Sequence, residues 1–578
     1  MKQFCLLATL LSIAAPVSAQ LTADQKVVDL QSLASLYAKN YAPYEWKRDT
    51  QRFDLLNLTP WLDRARRSKD DIEFFEVAAQ YVASLNDVHS QYLVPSDFVA
   101  DLSFTVDLYD GKALIDEIIR SNLPVREYPF EVGDELISVD GKTVEEWLTE
   151  FGKYSVFGNS RSTRRYNAQL ITLRFQSLYP RAHEIGGKAA VVVRRRTGNL
   201  ETYSIVWDKF GEPVTFVGPV LSPRMSSAKG RMADGETEGE DEGESETEER
   251  LPRYMRSWLQ RQTHRLPDAR SVRGVEDTPP VFAMPANFRQ SLGRSFADFF
   301  FSGTYEASGK RIGFIRIPTF LPSQTLSGYL AAIRQFQTEI GSMRQNTDAL
   351  VIDVMRNYGG FNCYAEALLQ SVIPYRFQGS AEEIRVTRDR LVQAQADYAD
   401  ARDFGAEQWV VDLLGDILKQ IQQAYKENRG RTGGIPVCAP NSERDPITDR
   451  AGNNVAYAKP VLVLADEFTT SAAEIFAAMF QDSGRGPVVG MRTAGAGGSV
   501  APFLFPAGYY SEASASVTNT IVVRSKTIAA PDFPATAYIE NVGVRPDRNL
   551  DFMTEDNLRN RGRTFVDAFT AAAVELIK

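Results

Sequence analysis

Short apolar runs alternate with helically spaced apolar stripes through the second half of the chain. Residues 311–317 and 349–354 are apolar, partly β-branched stretches of strand length, and 326–340 between them has the spacing of an amphipathic helix. The run Pro460-Val461-Leu462-Val463-Leu464-Ala465 repeats the pattern. After a polar turn, Ile475, Phe476, Met479 and Phe480 recur at helical spacing. Strands alternating with helices imply an α/β core. The chain closes with a helix expected over 564–577, and residues 380–445 read as a mostly helical insertion, with helices over 382–399 and 406–427.

The first half reads differently. Residues 20–100 are mainly helical, with mixed stripes around 30–41 and 72–85. From 101 to 215 the periods shorten to those of strands, and Leu108-Tyr109-Asp110-Gly111-Lys112 has the form of a hairpin turn. The stretch Glu131 to Val144, with Gly133-Asp134-Glu135-Leu136-Ile137 and Val139-Asp140-Gly141, resembles part of a PDZ domain, a module that adds an extended peptide to a sheet edge. Any small β domain with an Asp-Gly turn accounts for it equally well. No clear carboxylate-binding loop accompanies it, which argues against capture of a free peptide C-terminus. Between 222 and 290 the globular pattern breaks. A dense acidic run from Asp234 to Glu249 gives way to an arginine-rich stretch, a composition that buries no core. A solvated linker over 216–299 is the simpler expectation, and a removable inhibitory segment is the sharper one.

Composition narrows the class. Of the 578 residues 43% are hydrophobic and 24% charged, as in an ordinary soluble protein long enough for several cores. A net charge of −9 argues against nucleic acid as the main partner. Residues 1–19 have a basic start, an apolar middle and a small-residue end at Val17-Ser18-Ala19, the form of a secretory signal peptide. No later stretch is long and apolar enough to span a membrane, so no stable membrane insertion is expected after its removal. Location is then secreted or periplasmic. Removal of Cys5 leaves Cys363 and Cys438, which an oxidising compartment allows to pair. Two cysteines and three histidines make a structural zinc site unlikely on numbers alone, and neither a metal nor another cofactor is expected.

Candidate chemistry gathers at three places. Thr469-Thr470-Ser471 opens the helix after the 460–465 strand, where free N–H groups and the positive end of the helix dipole face any oxyanion. Ser471-Ala472-Ala473-Glu474 also fits the capping box S-x-x-E, and locally capping is the commoner role. Gly359 and Gly360 follow another strand, where paired glycines let backbone N–H groups approach a ligand or simply make a tight turn. His89 lies just beyond a helical pattern, where a loop can present it, whereas His183 and His264 sit in polar, irregular contexts.

These motifs, in this order, resemble the tail-specific, or C-terminal-processing, serine peptidases. The order is the PDZ-like stretch, Asn357-Tyr358-Gly359-Gly360 after a strand, Thr470-Ser471-Ala472-Ala473-Glu474-Ile475-Phe476-Ala477-Ala478, and a late Pro546-Asp547. The resemblance covers 300–578 strongly and 80–215 weakly. It implies an α/β fold with a ClpP/crotonase-like catalytic core over 300–578, a PDZ-like β-rich domain over 101–215 and an N-terminal helical segment over 20–100. It places the nucleophile at Ser471 and an oxyanion hole at the N–H groups of Gly360 (or Gly359) and Ala472. One departure matters. Bacterial tail-specific members carry a lysine base directly after the glycine of a T-x-G turn, and here Thr493-Ala494-Gly495 is followed by Ala496. A second branch resembles this chain better at that point. Proteins similar to the tricorn protease core and the chlamydial protease-like activity factor take a histidine base from an N-terminal segment, and the latter a glutamate from a late E-N-x-G-V-x-P motif. His89 and Glu540 match those positions, Glu540 opening Glu540-Asn541-Val542-Gly543-Val544-Arg545-Pro546. The resemblance therefore implies a secreted serine endopeptidase with a Ser471–His89–Glu540 triad, acting on extended or unfolded polypeptides. The alternative is a catalytically inactive secreted peptide- or ligand-binding protein on the same fold. Oligomeric state is open.

Overall fold

The computed structural model describes residues 20–215, 272–503 and 508–577. The expected signal peptide, the acidic run and most of the arginine-rich stretch lie outside these residues. Among the described residues no helix is long and apolar enough to cross a membrane.

A seven-stranded sheet whose strands follow one another in chain order carries the core. Arg289–Gln290, Phe301–Ala307 and Lys310–Arg316 are antiparallel. Lys310–Arg316, Ala349–Asp353, Val461–Ala465, Val488–Gly490 and Arg548–Asn549 then run parallel. Ala349–Asp353 and Val461–Ala465 are buried at every position, as unbroken apolar runs in a covered parallel sheet should be. Helices Leu326–Asn346, Asn362–Gln370 and Ala472–Asp482 supply the apolar cluster on one face. Helix Arg563–Glu575, with Phe282, supplies the cluster on the other.

The expected helices form near their predicted limits, with one instructive shift. The first insertion helix begins at Arg388, capped by the Thr387 side chain, because Ala381–Ile384 instead pairs as a strand with Thr520–Ala530. Cys363 and Cys438 form a disulfide, with Cα atoms 5.3 Å apart, that ties the helix after Gly360 to the insertion.

Ahead of this core, strands Phe104–Tyr109, Lys112–Ile118, Glu135–Val139, Lys188–Arg194 and Leu200–Val206 make an antiparallel sheet with helices Val144–Phe151 and Ser160–Gln169. The Asp-Gly hairpin is present, with positive φ at both Asp110 (49°) and Gly111 (79°), the conformation a two-residue turn demands. Helix Ser160–Gln169 docks this unit on the core. Arg165 is fully buried, donates twice to Asp107 and lies 3.2 Å from Glu467, and Ser162 Oγ donates to the Glu467 carbonyl.

The linker expected over 216–299 needs correction at its C-terminal end. Val272, Val275 and Phe282 are buried, and Arg316 donates to the carbonyls of Gly274 and Asp277. The charge runs stop before 272, and from there the chain again carries side chains that a core can take up.

Candidate active site

The strand Val461–Ala465 ends in a turn that is fixed on every side. Asp466 accepts the N–H groups of Arg356 (2.9 Å) and Phe468 (3.1 Å). Thr469 Oγ1 donates to the Val354 carbonyl, and Thr470 N–H to the Asn357 carbonyl at 3.0 Å. The turn is thus stitched to the 354–360 turn of the neighbouring parallel strand. Ser471 follows at φ 54°, ψ −123°, backbone values that cost a non-glycine residue about 1–3 kcal/mol and persist only where surroundings enforce them. It is half-buried between fully buried neighbours.

The capping reading and the nucleophile reading coexist. Glu474 reaches back to the Ser471 N–H (3.2 Å), while the Glu474 N–H is satisfied by the Ser471 carbonyl at 2.9 Å, so the hydroxyl is not needed for that donor. The Glu474 carboxylate also accepts Thr493 Oγ1, Gly495 N–H (2.7 Å) and Ala496 N–H (2.8 Å). One buried carboxylate therefore joins the helix opening to the T-x-G turn. Burial pushes its pKa up to about 7, against the pull of these hydrogen bonds.

Gly359 lies flush against the serine. A Cβ on it would stand 2.6 Å from Ser471 Cβ and 2.9 Å from Ala472 N, and its φ is +98°. The two glycines are not equivalent as donors. Gly359 N–H is committed to Asn357 Oδ1 at 2.8 Å, which corrects its inclusion among the oxyanion donors. The N–H groups of Gly360 and Ala472 donate no hydrogen bond among the described residues.

His89 sits in the loop between helix Asp71–Ala83 and strand Tyr92–Leu93. Its N–H donates to Asp87 Oδ1 (2.9 Å) and its carbonyl accepts Ser516 Oγ (2.7 Å). Asp87 Oδ2 accepts Ser90 Oγ and Thr518 Oγ1. Burial pushes the Asp87 pKa up, but the charges of Lys47 and His89, with these hydrogen bonds, hold it below its usual value. Val88 shares an apolar cluster with Ala494 and Ala496, the last standing where the lysine branch has its base. In this chain small side chains follow and fill the T-x-G turn, and the loop that carries His89 packs against them.

Glu540 is fully buried. Oε2 accepts Gly497 N–H (3.1 Å) and Oε1 lies 2.8 Å from Lys47 Nζ. Burial, then the charge of Asp87, pushes its pKa up to about 8. Its neighbour Asn541 connects the two sides: its N–H donates to the Gly495 carbonyl and its Nδ2 to the Asn86 carbonyl. Ser471, His89 and Glu540, far apart in sequence, thus belong to segments joined directly through Glu474, Asn541 and Lys47. Those connecting residues escaped the sequence reading. Glu474 was visible only as a capping residue, and Asp87 could have been found from its place two residues before the histidine. Nothing local marks Lys47.

Residues 311–550 match peptidase family S41 and residues 99–214 match the PDZ domain. A peptidase family S41 core over 311–550 thus follows a PDZ domain, and the chain is a serine peptidase. It is 24% identical over 607 residues to a protein of Chlamydia trachomatis serovar D, covering 98% of this chain and 95% of that one. A Chlamydia muridarum protein is 26% identical over 572 residues, at 94% and 91% coverage. The fold is that of mature CPAF, solved in complex with lactacystin: TM-score 0.72 at 22% identity, over 96% of this chain and 99% of that chain.

Proposed function

We propose that the protein is a secreted serine endopeptidase that hydrolyses extended or unfolded polypeptides through Ser471, His89 and Glu540. The observation that carries this reading is the strained Ser471 turn, with the uncommitted N–H groups of Gly360 and Ala472 on the two segments that meet there. Substrate lies along the sheet edge beside Gly359 and Gly360. His89 takes the Ser471 hydroxyl proton as Oγ attacks the scissile carbonyl, and the two N–H groups stabilise the resulting oxyanion. The imidazolium returns the proton to the leaving amine, releasing it and leaving an acyl-enzyme. Water attacks the ester in turn, its proton passing through His89 to Ser471. Glu540 orients the imidazole and, as a carboxylate, stabilises its charged form.

The signal-peptide form of residues 1–19 supports export, and the Cys363–Cys438 bond suits an oxidising compartment. A fluorophosphonate probe tests the chemistry. Labelling of Ser471 that disappears in His89→Ala, with peptidase activity lost in Ser471→Ala and circular dichroism unchanged, is the expected result. Activity that survives Ser471→Ala rejects the nucleophile. Absence of labelling, including after deletion of 222–271, which spares the buried Val272, Val275 and Phe282, favours the inactive peptide-binding alternative.

A further inference from the structure

The N-terminal helix Tyr44–Gln51 buries a lysine completely. Lys47 Nζ donates to the carbonyls of Leu85 (2.7 Å) and Asn86 (2.8 Å) and lies 2.8 Å from Glu540 Oε1. Two of the ammonium's three donors go to those carbonyls, and its charge is paired with the Glu540 carboxylate. Two of the acceptors belong to the loop that carries His89, and the third is the Glu540 carboxylate. The preceding residue repeats the connection, since Trp46 Nε1 donates to the Glu540 carbonyl at 3.1 Å.

We propose that Lys47 is a positioning residue for the peptidase reaction, holding the Glu540 carboxylate and the His89 loop in one geometry and favouring the ionised form of Glu540. The inference rests on the triad reading above, and it concerns a residue that reading does not use.

Charge balance carries the second half of the proposal. The charged and titratable groups around Glu540 are Lys47 from helix Tyr44–Gln51, Tyr41 just ahead of it, Asp87 and His89 from the loop, and Arg492, which donates to the carbonyls of Asn541 and Val542. Asp87 and Glu540 are two buried carboxylates beside one ammonium. Their surroundings push them apart, Asp87 down and Glu540 up to about 8. Lys47 opposes the rise at Glu540 through both its charge and its hydrogen bond. Without it, Glu540 keeps its proton to higher pH, and a protonated carboxyl cannot stabilise an imidazolium.

The test is the pH dependence of kcat/KM for a chromogenic peptide, in the wild type, Lys47→Met and Lys47→Arg. In Lys47→Met the ascending alkaline limb moves up by one pH unit or more. This is about a tenfold loss at pH 7 that is largely recovered by pH 9.5, in kcat rather than KM. Lys47→Arg keeps the charge, so its limb stays within half a unit of wild type even where kcat falls. Glu540→Gln removes the limb, and adding Lys47→Met to it moves nothing further. A purely structural Lys47 predicts a loss of equal size at every pH, and that result overturns the proposal. A limb displaced equally in the Arg and Met variants overturns it too. Should Lys47→Met not fold, Lys47→Gln, which removes the charge but keeps hydrogen-bond donors, is read on the same criterion. Failure of the triad reading shows separately, as a Glu540→Gln enzyme with the wild-type profile.

Discussion

The two halves of the site are built by different means. The nucleophile side comes from two adjacent parallel strands, Ala349–Asp353 and Val461–Ala465, and the turns that follow them. Its register is fixed by the sheet, and its turns interlock through Asp466, Thr469 and Asn357. The base side is assembled from pieces around residues 47, 85–90, 516–518 and 540, which meet through side-chain hydrogen bonds and one buried cation. Backbone register survives most single substitutions, whereas a side-chain assembly depends on each member. The nucleophile side should therefore break only where its few connecting groups are removed, and the base side should lose something with each member removed.

Glu474 is the sharpest break. Glu474→Ala strands the N–H groups of Ser471, Gly495 and Ala496 and the Thr493 hydroxyl in a buried site. Unsatisfied buried donors cost about 1–3 kcal/mol each before relaxation, so a loss of about 3 kcal/mol or more is expected in chemical denaturation, with kcat down at least about 100-fold. Glu474→Gln keeps the shape and should recover much of the stability. Gly359→Ala comes next. Its Cβ would meet Ser471 Cβ at 2.6 Å and the Thr470 carbonyl at 2.8 Å, at a φ of +98° that alanine tolerates poorly. A stability loss of about 2 kcal/mol is expected. The fall in kcat should be out of proportion to it, because the displaced atom is the one that carries the nucleophile. A variant that lost stability but kept its kcat would show that the fit of Gly359 against Ser471 is only packing.

The pH response separates the halves again. Glu540 and Glu474 have folded-state pKa values near 8 and 7, above the ordinary 4.5, so the folded state binds their protons more tightly than the unfolded one. Their contribution is complete below about pH 4.5 and is lost as pH rises through 7 to 8. Asp87, held below 3.8, works in the opposite sense: its contribution is present above that value and is lost only as pH falls through the lowered folded value. Between pH 5 and 8 these two groups, with other buried carboxyls raised by desolvation such as Asp116 and Glu382, lower the Tm of the Ser471→Ala protein as pH rises. Glu540→Gln should flatten the slope from about pH 4.5 up to 8, and Glu474→Gln only up to about 7, so the stretch between 7 and 8 responds to Glu540 alone of the two. An unchanged slope in both variants removes these carboxyls as its source.

The same asymmetry explains what could be read from the sequence. Strand runs, the helix after Ser471, the Gly359-Gly360 turn and the Asp110-Gly111 hairpin are written in local residue patterns, and each formed near its expected place. His89 and Glu540 were found only through motif resemblance, since no periodicity joins positions 451 residues apart in the chain. Lys47 was illegible for a physical reason. A lysine on a short polar helix normally points to water, and only the tertiary meeting of three carbonyl and carboxylate acceptors makes its burial tolerable. The linker boundary was misplaced because charge runs mark where a core stops, and they carry less information about where the next one starts.

The smallest effect tests the base side most finely. Trp46 has two roles: its Nε1 donates to the Glu540 carbonyl, and its ring packs against Phe533 and Tyr538 at centroid distances of 6.0 and 5.4 Å. Trp46→Phe removes the hydrogen bond and keeps most of the packing. A loss of about 1 kcal/mol is expected from the missing bond, with somewhat more if the smaller ring leaves a gap. If Trp46 and Lys47 share the support of Glu540, kcat/KM should drop only a few-fold, because Lys47 still holds the Glu540 carboxylate. Combined with Lys47→Arg, the same substitution should cost more than the two single effects added, since each would then remove the other's remaining support. Strict additivity in that cycle would mean that Trp46 and Lys47 hold Glu540 independently, and that the base side has the same tolerance as the sheet-borne nucleophile.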